Sequence, residues 1–221
     1  MSTTQTAAAA SARRARTHKI AVTAMLSAVA TVLMFLEFPI PFLIPSFVEL
    51  DFSELPALLA AFSLGPVSGA IVCLVKNVIK GLLFSGTGGV GEMCNFLLGI
   101  CFVIPAGLIY HYKKTRSGAL IGALAGAAIM AVCSVPVNYF ISYPVYTMFL
   151  PIDVIISMYQ EIIQSANSLL SRISAPFSLP SVNGLLSCLI VFNAPFTLLK
   201  GLLDMLLCFL IYKPLSPLLH R

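Results

Sequence analysis

The chain has 221 residues, of which 59% are hydrophobic and 10% are charged, and its formal net charge is +5. A water-soluble domain of this size needs more charge to cover its surface, so the composition excludes one. Several apolar runs reach the roughly 18 residues that a helix needs to cross a bilayer. The sequence therefore predicts an all-α integral membrane protein.

The apolar segments predict a six-transmembrane-helix bundle. Residues 1–17, rich in Ala, Thr and Arg, are expected to form a disordered basic tail, and 18–221 a single six-helix membrane domain. The predicted spans cover about 19–36, 53–64, 67–84, 92–112, 118–141 and 182–212. At roughly 12 residues, the second span is too short to cross a core of about 30 Å. It either begins earlier or forms half of a re-entrant pair with the third span.

Basic residues predict the orientation of the bundle. Nine of the thirteen Lys and Arg lie in three clusters, at the N-terminus, at 113–116 and near the C-terminus. Six crossings place these clusters on one side, and the positive-inside rule makes that side the cytoplasm. We therefore expect cytoplasmic N- and C-termini, with outer loops at 37–52, 85–91 and 143–181. No nucleic-acid partner is expected, because the basic residues do not form one interleaved face.

Two of the outer loops contain recognisable patterns. The loop at 85–91 contains "GTGGVG", which matches the G-x-G-x-x-G fingerprint of dinucleotide-binding sites. That fingerprint needs a preceding strand, whereas here it joins two apolar spans, so we expect a tight reversal and no nucleotide site. In the longest loop, apolar side chains at helical spacing over 151–173 predict an amphipathic helix on or over the outer face. This helix can equally serve as a lid.

Ionisable and amide side chains inside the spans are functional candidates, because they are costly to bury in a membrane. Four groups qualify: Lys76, Asn77 and Lys80; Glu92 and Asn95; Asn138 and Tyr139; and Asn193, Thr197, Lys200 and Asp204. The spacings of four, three and four place the last group on one helical stripe.

Each group also has a purely structural explanation. Lys200 and Asp204 can neutralise each other at i, i+4. Lys76 and Lys80 can pair with Glu92 or extend to the membrane surface. The aromatic stretch after Asn138 suits stacking of a flat ligand, but it can also be an interfacial belt.

Small residues mark two surfaces for close helix contact. Gly118, Gly122 and Gly126 form a ridge in the fifth span, for which packing inside the bundle is the simplest explanation. Ala24-x-x-x-Ala28 in the first span offers either such packing or a docking face for another membrane protein.

Signatures of enzymes and metal sites are missing from the sequence. It has no P-loop and no H-E-x-x-H, and its three histidines lie at predicted cytoplasmic ends. The six cysteines lie in apolar runs without a C-x-x-C pair. We therefore expect no catalytic residues, no metal and no resident cofactor. A polar pocket that faces outside and lacks an ATPase of its own indicates a binding subunit.

Four stretches carry a resemblance to a known family: "LDFSELPALL", "GVGEMCNF", "NYFISYPVY" and "PFTLLKG". They resemble the substrate-binding S components of energy-coupling factor (ECF) vitamin transporters, and the last two resemble the riboflavin-specific branch. The resemblance extends from about residue 19 to the C-terminus. It implies a multi-pass protein of the bacterial cytoplasmic membrane, in contact with membrane lipid, that captures riboflavin from outside. The partners that it implies are a transmembrane coupling subunit and two cytoplasmic ATPases.

The resemblance also implies where riboflavin is held, namely by the first outer loop and the outer halves of helices 4 to 6. Matched by motif, these positions are Leu50, Asp51, Phe52, Glu92, Asn95, Asn138 and Lys200. The polar stripe and the aromatic stretch add Asn193, Thr197 and Tyr139. The family usually reads "PFN-x-x-KG", so Thr197 stands where the family has an asparagine. The side-chain amide of Asn193, one turn earlier, can take the place of the missing one. Ala24 and Ala28 match the family's docking face.

Three other functions are compatible with the sequence alone. The same scaffold can serve as an S component for another vitamin. A small intramembrane enzyme would use Glu92 in turnover. A solitary channel or structural protein would not need the clustered polar stripes.

Overall fold

The computed structural model describes residues 3–172, 179 and 181–219, and nearly all of them are helical. In chain order the elements are α1 (Thr3–Phe35), β1 (Phe38–Pro39), β2 (Glu49–Leu50), α2 (Glu54–Leu64), α3 (Pro66–Phe84), α4 (Val90–Tyr112), α5 (Arg116–Val137), a π-helical turn (Asn138–Ser142), α6 (Tyr143–Tyr146), α7 (Ile152–Arg172), α8 (Leu185–Cys188), a second π-helical turn (Leu189–Asn193) and α9 (Ala194–Leu219). The two strands pair antiparallel, with Phe38 opposite Leu50.

Within this part of the chain, five helical segments are long and apolar enough to cross a membrane. They begin at Ala10, Pro66, Val90, Arg116 and Leu185. The predicted helical membrane architecture is therefore confirmed, while the sixth apolar helix, α2, has only 11 residues. It does not begin earlier than predicted, because the residues before Glu54 are not helical.

The N-terminal segment differs from the prediction of a disordered tail at 1–17. From residue 3 onward the segment is helical and continues into the first span. The alanine-rich run has a high helix propensity, and no Gly or Pro separates it from the span. This accounts for the difference. The predicted C-terminal basic cluster falls at 213–221, whose side chains lie outside the described part.

The first helix divides into a buried face and an exposed face. Val22, Leu26 and Ala30 are buried at intervals of one turn, as the helical period requires. Three buried hydroxyls beside them each donate to the carbonyl oxygen four residues earlier: Thr23, Ser27 and Thr31. This bonding satisfies polar groups that have no access to water. Ala24 and Ala28 lie on the exposed face.

The shortest of the apolar helices lies at the centre of the bundle. In α2, every residue from Glu54 to Phe62 is buried. A turn at Gly65, with φ of 104°, connects α2 to α3, and only glycine adopts that backbone easily. At Gly69 a Cβ atom would lie 2.8 Å from the Ala57 carbonyl oxygen, so α3 packs directly on the backbone of α2.

The glycine ridge of α5 packs against α4. A Cβ atom at Gly122 would lie 2.7 Å from the carbonyl oxygen of Ala106, and Gly118 and Gly126 are similarly crowded. Ala119, Ala123 and Ala127 on the same side of the helix are buried. Small residues therefore allow these two backbones to approach closely, and packing inside the bundle is the role of this ridge.

The predicted amphipathic helix at 151–173 is present as α7. Its apolar side buries Ile155, Tyr159 and Ile163, which pack with Ile44 of the loop between β1 and β2 and with Leu189 of the second π turn. Together these residues form a second hydrophobic cluster, separate from the main core between the packed helices of the bundle. The rest of the predicted outer segment includes 173–178 and 180, which lie outside the described residues.

Gly122→Val is expected to destabilise the bundle by about 1–3 kcal/mol, because a side chain there collides with a backbone carbonyl that cannot rotate away. Gly184→Val is the matched control, since a Cβ atom at Gly184 would meet nothing within 4 Å. Thermal unfolding of both variants in detergent measures the difference. Equal stability of the two variants would contradict the close packing of α4 and α5.

Candidate ligand-binding site

A cavity of about 340 Å³ opens at the end of the bundle where α3 ends and α4 begins. Its volume lies in the range typical of small-molecule sites. Seven of the ten predicted site residues line it: Asp51, Glu92, Asn95, Asn138, Asn193, Thr197 and Lys200. The cavity therefore brings together side chains from the first loop, α4, the two π turns and α9.

The other three predicted site residues do not line this cavity. Leu50 is buried in the second hydrophobic cluster, and Phe52 packs against the Phe38 ring at a centroid distance of 6.4 Å. These two residues flank Asp51 in the chain, and their side chains pack away from the cavity. Tyr139 is 39% exposed and its ring contacts Phe140, which is 73% exposed, so both side chains face away from the cavity.

A second, larger groove of about 1050 Å³ lies between the first loop and α7. It is lined mainly by apolar side chains and by none of the predicted site residues. A ligand site needs a few convergent polar groups to fix orientation. The smaller cavity has them, so it is the candidate site.

The first loop is tied to α9 by an ion pair. The Lys200 ammonium lies 2.7 Å from the Asp51 carboxylate, and both side chains line the cavity. The second carboxylate oxygen of Asp51 accepts from the backbone N–H of Ser53 at 2.8 Å and from the Ser53 hydroxyl. Burial raises the pKa of Asp51, but Lys200, Lys76 and these hydrogen bonds outweigh burial and hold the pKa well below its ordinary value.

This pairing leaves Asp204, another residue of the polar stripe, without the ion pair that its spacing from Lys200 allowed. Lys200 forms its ion pair with Asp51, and not with Asp204 as the i, i+4 spacing allowed. Asp204 is completely buried, and neither of its carboxylate oxygens has a hydrogen-bond partner among the described residues. It does not line the cavity, so it stays outside the candidate site.

A second buried ion pair lies behind the first. The Lys76 ammonium lies 2.6 Å from Glu54, with both side chains 1% exposed or less, and it also donates to the Ser53 hydroxyl. Ser53 thus connects the two pairs and does not cap α2 with its side chain. Lys80 pairs with Glu37, so the suggested pairing of either lysine with Glu92 was wrong.

The glycine-rich loop connects two helices, as predicted, and α3 rather than a strand precedes it. Gly88 and Gly89 have φ of 65° and 90°, which makes the tight reversal possible. The Glu92 carboxylate at the start of α4 accepts from the hydroxyls of Ser85 and Thr87, at 2.9 and 3.3 Å. The loop therefore fixes Glu92 at the cavity wall.

The two π-helical turns position the two amides. In each turn the final backbone N–H reaches the carbonyl five residues earlier, from Tyr143 to Asn138 and from Ala194 to Leu189. A proline follows directly in both cases, and its missing N–H and bulky ring disturb the α-helical ladder just before it. π turns often occur at functional sites. Here they place Asn138 and Asn193 on the cavity wall.

A chain of hydrogen bonds that reaches α7 orients Asn193. The Tyr143 hydroxyl contacts the Tyr159 hydroxyl, which donates to the Asn193 side-chain oxygen at 2.7 Å. Burial and the adjacent Tyr143 raise the pKa of Tyr159, so its hydroxyl stays a neutral donor. The Asn138 amide instead donates to the Ser134 carbonyl at 2.8 Å. Asn193 therefore offers N–H groups to a ligand, whereas Asn138 offers its oxygen.

Sequence reasoning missed several residues of this arrangement. Glu54, Tyr143 and Tyr146 line the cavity, and Tyr159 supports it from α7. Tyr143 and Tyr146 lie in the aromatic stretch that suggested a stacking surface. No spacing in the sequence links Tyr159 with Asn193, because they lie on different helices.

Comparison with known proteins identifies the family. The sequence pattern described as "ECF transporter, substrate-specific component" matches residues 18–212. The chain belongs to this family. It is therefore an S component, a multi-pass subunit of a transporter in the bacterial cell membrane and not an enzyme.

Relatives of this S component include riboflavin transporters. The "Riboflavin transporter RibU" of Staphylococcus aureus is 35% identical over 198 residues, which is 89% of each chain. The "Riboflavin transporter RibU" of Streptococcus thermophilus is 32% identical over 93% of this chain and 86% of its own length. A solved structure described as "Structure and mechanism of the S component of a bacterial ECF transporter" is 32% identical, has a TM-score of 0.67 and covers 93% of this chain and 99% of its own.

Lys76→Met is expected to destabilise the protein by about 3–5 kcal/mol, because it leaves the buried Glu54 carboxylate without its counter-ion. Lys80→Met makes the same change one turn later on α3, in a pair whose side chains are 13% and 24% exposed, and should cost about 1 kcal/mol or less. Thermal unfolding in detergent compares the two variants. Equal losses of stability would contradict a greater contribution from the buried Lys76–Glu54 pair than from the Lys80–Glu37 pair.

Proposed function

We propose that this S component binds riboflavin from outside the cell and delivers it to a transmembrane coupling subunit with two cytoplasmic ATPases. Riboflavin is the transported ligand, and no resident cofactor is involved. The single observation that carries the proposal is the convergence of Asn138, Asn193, Thr197 and Lys200 on one cavity. The riboflavin transporters named among the relatives match nearly the whole chain, which supports this ligand.

The polar groups of the cavity suit the ring edge of a flavin. Riboflavin is uncharged and flat, with ring carbonyls and ring nitrogens as acceptors and one ring N–H as a donor. Lys200 and Asn193 supply N–H donors for the acceptors, while the Asn138 oxygen can accept from the ring N–H. Thr197, which is buried beside Asn193, supplies a hydroxyl where the family usually has an amide. Each group left unpaired by a wrong ligand costs roughly 1–3 kcal/mol.

Aromatic side chains provide the walls that a flat ring needs. Phe47, Tyr143 and Tyr146 line one part of the cavity, with the Phe47 ring 5.7 Å from Tyr146 and 6.2 Å from Tyr143. Phe196 of α9 lines another part. Aromatic pairs favour offset or edge-to-face contacts at these separations, so a flavin ring can join the cluster without displacing it.

We further propose six crossings, with both chain termini in the cytoplasm. Asp51 pairs with Lys200, which lies near the middle of the apolar segment Leu185–Tyr212, so the first loop descends well into the bundle. Non-helical backbone is tolerated at such depth where it lines a cavity. From there the 11 residues of α2, about 16 Å long, complete the crossing. This path supports the sixth crossing, and the basic residues support the orientation.

Ala24 and Ala28 are proposed to dock on the coupling subunit. Both residues are exposed on α1, whereas the glycine ridge of α5 is already occupied by α4. A strip of small side chains that faces the lipid allows a partner helix to approach closely. The docking face therefore remains available after the bundle has folded.

The experiment that tests this function is purification of the protein in detergent, followed by titration with riboflavin. We expect a yellow, fluorescent bound flavin or quenching of added riboflavin. Lys200→Ala should weaken binding at least tenfold because a buried ring acceptor loses its donor. Lys113→Ala, at the exposed end of α4 away from the cavity, is the control and should change nothing.

Two outcomes would count against the assignment in different ways. A colourless wild-type protein that does not quench riboflavin would contradict the ligand. Unchanged flavin affinity in Lys200→Ala would contradict only the role of that lysine.

Tyr159→Phe is expected to weaken riboflavin binding by roughly tenfold, because Asn193 loses the hydroxyl that fixes the orientation of its amide. Tyr139→Phe is the control, since Tyr139 is exposed and does not line the cavity. Riboflavin titration and thermal unfolding are measured on both variants. Lower stability of Tyr159→Phe with unchanged affinity would show that the hydroxyl chain serves the fold alone.

A further inference from the structure

A cleft of about 480 Å³ lies at the opposite end of the bundle from the candidate ligand-binding site. It is bordered by Lys19 of α1, by the turn between α2 and α3, and by the last residues of α4. Three basic side chains line it: Lys19, His111 and Lys114. The transport function proposed above makes no use of this cleft.

The cations of the cleft have no acidic counterpart. Lys19 and Lys114 are exposed, and neither belongs to any of the three ion pairs found among the described residues. The sequence contains no Asp or Glu before Glu37 and none between Glu92 and Asp153. The ends of α2 and α4 contribute partial negative charge at the cleft and the start of α3 contributes partial positive charge, so the helix ends offset only a small part of the two lysine charges. The cleft therefore presents net positive charge.

One wall of the same cleft is apolar and faces the surroundings of the bundle. Val67 is 67% exposed and Leu108 is 43% exposed, and both line the cleft beside the lysines. In a membrane protein such side chains contact lipid tails. A water-soluble anion would use only the lysines, whereas a molecule with a charged head and an apolar tail would use both parts.

We propose that this cleft binds an anionic membrane phospholipid. The lipid phosphate lies between Lys19 and Lys114, and the start of one acyl chain packs on Val67 and Leu108. Basic pockets between helices on the cytoplasmic side are a known means of binding lipid headgroups. The proposal concerns a surface remote from the riboflavin cavity, so it holds whether or not the ligand of that cavity is riboflavin.

The test is native mass spectrometry of the full chain in neutral detergent, titrated with phosphatidylglycerol or phosphatidylcholine of matched acyl chains. We expect the wild type to retain one phosphatidylglycerol per chain and little phosphatidylcholine. The double variant Lys19→Gln/Lys114→Gln should bind phosphatidylglycerol about thirtyfold more weakly. Lys113→Gln/Arg116→Gln is the matched control, because it removes two exposed charges at the same end that do not line the cleft.

Three results would overturn the proposal. They are equal retention of the two lipids, an equal loss in the control variant, and displacement of phosphatidylglycerol by millimolar inorganic phosphate. The last result would indicate a site for a free anion, and the second a diffuse attraction to any basic surface. Thermal unfolding of each variant verifies that it is folded. The lipid titration contains no riboflavin, so a loss of lipid binding tests this proposal and not the proposed transport function.

Discussion

The need to neutralise buried charge in a membrane protein organises this structure. Two carboxylates and two lysines meet at the base of the cavity, and Ser53 connects the Asp51–Lys200 pair to the Glu54–Lys76 pair. An unpaired charge at this depth would be costly, so the first loop must meet α9 and α2 must meet α3 for the two pairs to form. The same pairing places Asp51 and Lys200 at the cavity wall. Folding and site assembly therefore depend on one set of contacts.

The second constraint is the backbone of the α5–α6 segment and of the α8–α9 segment. Each contains a π-helical turn just before a proline, and each turn directs an asparagine toward the cavity. Asn138 is the first residue of its turn and Asn193 the last of its own, and both side chains line the cavity. The amphipathic α7 then fixes one of the two amides through the Tyr159 hydroxyl. A helix outside the spans thus contributes to the polarity of a site inside them.

The two ends of the bundle differ in chemistry because their charges are distributed differently. Acidic residues concentrate around the cavity, where three ion pairs neutralise Lys76, Lys80 and Lys200. At the other end, basic side chains such as Lys19 and Lys114 face the exterior without acidic residues nearby in the sequence. One end therefore suits a neutral polar ligand, and the other suits an anionic surface. This asymmetry agrees with the expected orientation in the membrane.

The sequence by itself determined the membrane class, the positions of the long helices, the amphipathic α7 and seven of the residues that line the cavity. These features follow from hydrophobic periodicity and from the rarity of polar groups in spans, which are local properties. Tertiary structure alone decided that Lys200 pairs with Asp51 rather than Asp204, that Lys76 pairs with Glu54, and that Tyr139 lies outside the cavity. Lys200 and Asp51 are 149 residues apart in the chain, Lys76 and Glu54 are 22 apart, and the exposure of Tyr139 depends on how its helical segment is rotated in the bundle. Such choices are made by which helices touch and how each is rotated, and no local spacing encodes them.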